Sequence, residues 1–318
     1  MDYDILNCAI SNIIDIVNEY NKQHLYDVEV CEDLVIALTG YYLTFGPEIF
    51  SKISEILQVL EIHTAKTSSE LIQKKRLIKG KELDFYDAYS EAFWEIYLDP
   101  KTNKFIGAKP HIFYKNVSRD NSPLELVHEL SHALEGCTAN IIYEDDKIVT
   151  IKRCFGEITF DKETGLAIAA QGTGMTELTT ATIENKILRK FCDLDSNKID
   201  NPLIKDYVKM AIPLNPNRTI ASSYVDMVSI FKDLVDNDQY FDILRQYYYE
   251  TNSKKIIEEF NCLDYRLNFQ RLINQANTIF SSNEETGLRT IPYVQQQLTI
   301  LNEATNAKPS TKQIILLF

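Results

Sequence analysis

The sequence predicts an α+β protein, and three observations carry that prediction. Apolar residues recur at helical spacing from residue 1 to about 62 and again from about 186 onward, while the stretch between alternates with the short period of strands. Within that strand-rich stretch sits one short segment, residues 122–136, with its own helix start and stop signals. The division is 1–80, mainly helical; 81–190, mixed; and 191–318, helical again.

In the first region Ile5, Cys8, Ala9, Ile13, Ile16 and Val17 keep helical spacing. A second run follows Gly46-Pro47 with Ile49, Ile53, Ile56, Leu57 and Leu60. Between them, Asp27 to Cys31 reads as a short strand. His24 and His63 stand alone in the sequence, and isolated histidines are read as surface or satisfied core residues. The Lys-rich polar stretch from Thr64 to Leu83 places a boundary near residue 80.

In the middle region, Ala92 to Leu98 and Lys104 to Gly107 flank the turn cluster Asp99-Pro100-Lys101-Thr102-Asn103, a β-hairpin pattern. The second strand runs on through His111-Ile112-Phe113-Tyr114, and Pro110 assigns it to a sheet edge. Such an edge either pairs with an extended peptide or is simply protected from aggregation by the proline. Further on, Ile141 to Tyr143, Ile148 to Ile151, Gly156 to Phe160 and Gly165 to Ile168 are separated by acidic turns and predict two successive hairpins.

The capped segment reads Ser-Pro-Leu-Glu-Leu-Val-His-Glu-Leu-Ser-His-Ala-Leu-Glu-Gly. Ser122 is placed to cap, Pro123 suits the first helical position, Glu125 completes a capping box and Gly136 suits the stop. On that helix His128 and His132 project from one face a turn apart, with Glu129 at the edge of the same face. This is the H-E-x-x-H pattern, in which two neutral imidazoles bind zinc and the glutamate takes a proton from metal-bound water. By chance the pattern arises in about one chain of this composition in a hundred or fewer. The surrounding leucines and valine bury most of the helix, so the imidazoles need partners, and a Zn2+ ion supplies one to each.

A catalytic zinc takes three protein ligands and keeps one open position. The metzincin spacing fails, because Ala139 stands where its third histidine would be, and the chain has no histidine after His132. A carboxylate is therefore the third ligand. Glu177 is placed for it by the glycine-rich turn Gly172-Thr173-Gly174 at the start of a helix, with Glu184 two turns on as a reserve ligand or outer partner.

With His128-Glu129-Leu130-Ser131-His132 and Gly174-Met175-Thr176-Glu177, residues 90 to 190 resemble the gluzincin zinc metallopeptidases, the group that includes thermolysin. The resemblance implies a zincin-like core with a small mixed or antiparallel sheet, flanked by helical regions. It also implies hydrolysis of a peptide or protein substrate with Glu129 as general base. Its downstream histidine for the oxyanion is absent here, so that role passes to Tyr224, with Arg218 as runner-up. The Gly-x-Met-x-Asn element of the aminopeptidase branch is also absent, which favours an endopeptidase. A rival reading keeps the fold and the zinc without turnover, as an interaction or regulatory protein. Peptide deformylase is set aside, because Glu135-Gly136-Cys137 follows the histidine motif where that family's cysteine segment precedes it.

The net charge of −13 and pI ≈ 4.9 argue against nucleic acid or an anionic membrane as the main partner. No apolar stretch suits a membrane span, and the acidic N-terminus is unlike a secretory leader. The expected location is therefore cytoplasmic, barring export by a route that reads no such signal. Six scattered cysteines without a C-x-x-C pair are read as free thiols.

From residue 186 on, helical runs are expected at Leu203 to Ile212, Ile220 to Val235, Tyr240 to Tyr249, Ile256 to Phe260 and Leu263 to Phe280. Punctuation is expected at 201–202, 213–216 and 283–287. Tyr247-Tyr248-Tyr249 reads as core, and the apolar ending Ile314 to Phe318 as a segment that docks on the body or lines a partner surface.

Overall fold

The computed structural model describes residues 2–79, 89–116, 122–136, 140–211, 225–281 and 284–306. The boundary expected near residue 80 and the apolar C-terminal segment lie outside these residues. No described helix is long and apolar enough to cross a membrane.

The fold is α+β. Helices α1 (Tyr3–His24), α2 (Val28–Phe45) and α3 (Ile49–Leu57) lead into strand β1 (Glu61–Ala65) and α4 (Ser68–Lys79). The short strand expected at Asp27 to Cys31 is instead the first turn of α2. A strand would place Val28 and Val30 on one face, but Val28 is 73% exposed while Val30 is buried, at helical spacing from Leu34, Ala37 and Tyr41.

Strands β2 (Glu91–Leu98) and β3 (Phe105–Lys115) form the expected hairpin, but β3 is the centre of its sheet, not the edge. β1 joins it in parallel on the side away from β2 and pairs only with His111 to Lys115, so its ladder begins just past Pro110. The missing proline N–H therefore falls outside the β1 pairing, and a proline fits a central strand. β2 is the open neighbour, crossed at one point where the Ile96 N–H donates to the Gly165 carbonyl (2.9 Å).

The two later hairpins merge into one antiparallel meander of β4 (Asn140–Glu144), β5 (Ile148–Lys152), β6 (Glu157–Asp161) and β7 (Ala167–Gln171). The capped segment is helix α5 (Ser122–Gly136). Its two cap residues reach the first sheet: the Ser122 hydroxyl donates to the Lys115 carbonyl (3.4 Å), and Glu125 accepts from the Ser90 hydroxyl (2.7 Å).

Helix α6 (Thr173–Cys192) runs through the middle of the molecule and packs on α2, α5 and α12 (Phe269–Ser281). α7 (Pro202–Ala211), α8 (Val225–Ile230), α9 (Lys232–Val235), α10 (Asp238–Tyr247), α11 (Ser253–Leu263) and α13 (Glu284–Asn306) complete the helical part. Helix α13 begins at Glu284, so residues 284–287 of the punctuation expected at 283–287 are helical, and it continues through Pro292. Val294, Gln297, Leu298 and Leu301 are buried at helical spacing where it meets α12 and α9, and that burial outweighs the bond lost at the proline. Tyr248 and Tyr249 are core residues, as expected. One buried apolar cluster reaches from Leu6 to Leu301, drawing on all three stretches of the sequence.

Candidate metal centre

Leu126, Val127, Leu130, Ala133 and Leu134 of α5 are essentially inaccessible, and each large apolar side chain so buried contributes about 1.5–3 kcal/mol. The Tyr41 hydroxyl of α2 donates to the Val127 carbonyl (2.9 Å) and fixes the helix from the other side. What remains of its surface is a strip carrying His128, Glu129 and His132, which forms one wall of a cleft of ≈ 870 Å³.

Helix α6 delivers the carboxylate to the same place. Gly172 opens it at φ +76°, a conformation that side chains resist, and a Cβ on Gly174 would lie 2.4 Å from the Ala276 carbonyl oxygen of α12. Gly174 lets α6 start close against α12, and Glu177, just past the first turn, faces α5. Glu177 Oε2 lies 3.2 Å from His128 Nε2 and 3.3 Å from His132 Nε2, and the three ligand atoms all lie within 4.8 Å of one another. Behind the first ring, Glu184 Oε2 stands 3.2 Å from His128 Nδ1. The fold thus brings His128, His132, Glu177 and Glu184 together, and Glu129 lines the same cleft at 5% exposure. Tyr224 and Arg218 lie outside the described residues.

The electrostatics suit a cation. Burial would drive His128 neutral, yet its hydrogen bonds to Glu177 and Glu184 raise it well above the ordinary imidazole range. Burial lowers His132, with Glu177 opposing. Burial also works against ionised Glu177, but His132 and His128 hold its carboxyl well below the usual range. Burial pushes Glu129 up to about 8, with His128 opposing. Two imidazole nitrogens and one carboxylate oxygen, converging from buried side chains, are a donor set that fits zinc with a position left over. An arriving ion would displace the proton of His128.

Compared with family models, curated proteins and solved structures, the chain has no significant match.

Several cleft residues were not legible in the sequence. Arg153, just past β5, points a guanidinium nitrogen at His132 Nδ1 (3.4 Å), ion-pairs with the fully buried Glu135 and lies 5.0 Å from the Trp94 ring. Glu135 also accepts from the Cys154 N–H (2.9 Å). Across the cleft the buried Lys75 meets Glu91 at 2.7 Å, and Lys79 pairs with the same carboxylate. Burial would raise Glu91, but the two ammonium groups hold it below the ordinary carboxylate range. Only the exact i, i+4 spacing of Lys75 and Lys79 hinted at a shared partner.

Proposed function

We propose that the chain is a zinc-dependent metalloendopeptidase on a zincin-like core of β2, β3, α5 and α6. The observation that carries the reading is the meeting of Glu177 with both His128 and His132, three ligand atoms from two helices brought together by folding. Zinc held there supplies Lewis acidity, polarising a scissile carbonyl and lowering the pKa of water. Glu129 accepts the proton of the attacking water and returns it to the leaving amine; burial pushes its carboxyl up to about 8, and a divalent cation held by His128, His132 and Glu177 would favour the ionised form that this needs. Glu184 holds the His128 ring so that Nε2 faces Glu177.

The substrate lies extended along β2. Residues Glu91 to Trp94 line the cleft and, among the described residues, pair only with β3, so their outer edge offers main-chain hydrogen bonds to a peptide. The expectation of an open edge strand thus moves from β3 to β2. Oxyanion stabilisation remains assigned to Tyr224 or Arg218, and Arg153 is a further cation at the cleft wall.

The test is cleavage of a peptide library by the zinc-loaded protein, abolished by a chelator and restored by zinc. Glu129→Gln should bind zinc as the parent does and cleave nothing. Cleavage by that variant overturns the role of Glu129, and an inert zinc-loaded parent favours the silent zinc-binding reading.

A further inference from the structure

His63, isolated in the sequence, is not isolated in the fold. Parallel pairing of β1 with β3 sets Glu61 opposite His111, and strand alternation puts Glu61, His63 and His111 on one face. Ile62, Ile112 and Tyr114 project from the other face into the main core with α5, so the cluster and helix α5 lie on opposite faces of the sheet. The His63 ring stacks on Phe113 (4.6 Å between centroids) and the buried His111 is 3% exposed, so both imidazoles are held.

Their ligand atoms form a near-regular triangle. His63 Nε2 lies 3.2 Å from His111 Nδ1, and Glu61 Oε2 lies 3.6 Å and 3.5 Å from these two nitrogens. A point equidistant from all three is about 2 Å from each, the bond length of zinc to imidazole nitrogen and carboxylate oxygen. We propose that Glu61, His63 and His111 form a second site for a divalent transition-metal ion such as zinc, independent of the cleft, that ties β1 to β3.

The surroundings are built for this. The second oxygen of Glu61 ion-pairs with Lys109, which fixes the carboxylate with Oε2 turned toward the histidines. Ligation at His111 Nδ1 puts the ring proton on Nε2, a buried atom with no hydrogen-bond partner that lies 3.5 Å from Glu95 Oε2. A small rotation of the half-exposed Glu95 closes that contact, giving the carboxylate–histidine–metal arrangement. Without an ion, a single shared proton can join the two facing ring nitrogens, while Glu61 Oε2 is bonded to neither.

The experiment is zinc stoichiometry by equilibrium dialysis and elemental analysis, with the thermal midpoint recorded in parallel. The full chain should bind two equivalents. His63→Ala and, separately, Glu61→Gln should each bind one, and His128→Gln combined with His132→Gln should also bind one. Zinc should still raise the melting temperature of that last variant, and adding His63→Ala to it should abolish both the remaining equivalent and the shift. The proposal is overturned if folded His63→Ala and Glu61→Gln proteins keep the parent stoichiometry. It is equally overturned if the His128→Gln, His132→Gln protein binds no zinc. Because the second site is read in a protein lacking the first, failure of the peptidase reading leaves this result unchanged.

Discussion

Glu184 Oε2 sits 3.2 Å from His128 Nδ1, while Glu177, two turns earlier on α6, meets the other nitrogen of the same ring. One helix therefore supplies both the acid beside His132 and the group that fixes the orientation of His128. Glu184 is 4% exposed, so its carboxylate has little water to turn to.

Glu184→Gln should weaken zinc binding about 10- to 100-fold while leaving one zinc bound in the cleft at saturation, because an amide still accepts or donates at Nδ1 but no longer raises the basicity of the ring. Glu177→Gln should lose that zinc altogether. Competition with a chromogenic chelator separates the two; equal losses would mean that Glu184 is itself a ligand.

Glu135 and Arg153 form an ion pair in which the carboxylate is fully buried and the guanidinium side chain is 11% exposed. Glu135→Ala leaves that cation and the Cys154 N–H without their carboxylate, at a cost of about 3–5 kcal/mol. Pairing it with Arg153→Met should recover part of the loss, since two apolar groups need no partner. Urea denaturation of the four proteins of the cycle reads the coupling, and strict additivity would show the pair to be independent.

Gly174→Ala tests the approach that aims Glu177. The added methyl would meet the Ala276 carbonyl at 2.4 Å, a rigid Cβ against a main-chain oxygen, so α6 or α12 must move. The expected result is a loss of about 1–3 kcal/mol together with weaker zinc binding, because the proposed ligand Glu177 lies one residue past the first turn of α6. A loss of stability at unchanged zinc affinity would show that Glu177 is positioned from further along the helix.

The site was legible wherever chemistry and local periodicity coincide. His128, Glu129 and His132 lie within five residues on one helix, so helix geometry alone sets their relation. Glu177 followed from the need for a third ligand and from the glycines before it. Arg153 and Glu135 could not be read, because their meeting depends on how the meander folds back over α5. His63 and His111 are 48 residues apart and meet through a parallel pairing, which leaves no local trace. The strand misread at Asp27 to Cys31 has the same root: five residues with two valines satisfy either period, and only burial of Val30 with exposure of Val28 decides. Helix α13 begins inside the stretch 283–287, which its turn-forming residues mark as punctuation, because burial of Val294, Leu298 and Leu301 further along outweighs those local signals.

Asp33 on α2 gives the fold a predictable pH dependence. It is 5% exposed and accepts from the Tyr114 hydroxyl (2.9 Å) and the Asn116 amide (3.0 Å). Burial pushes its carboxyl up to about 7 from an ordinary 3.8, with the Tyr114 bond opposing. Below about pH 4 the group is protonated folded or unfolded, and between there and about 7 only the folded chain keeps the proton. Its contribution to stability is therefore complete at low pH and is lost as pH rises through about 7. Asn cannot ionise and can accept both bonds at its carbonyl oxygen. Asp33→Asn should thus gain on the parent as pH rises from about 5 to about 8, by an order of 2–4 kcal/mol at most. Urea midpoints of both proteins at the two pH values measure the change. A variant-to-parent difference that is flat, or that shrinks toward high pH, would place the Asp33 proton elsewhere.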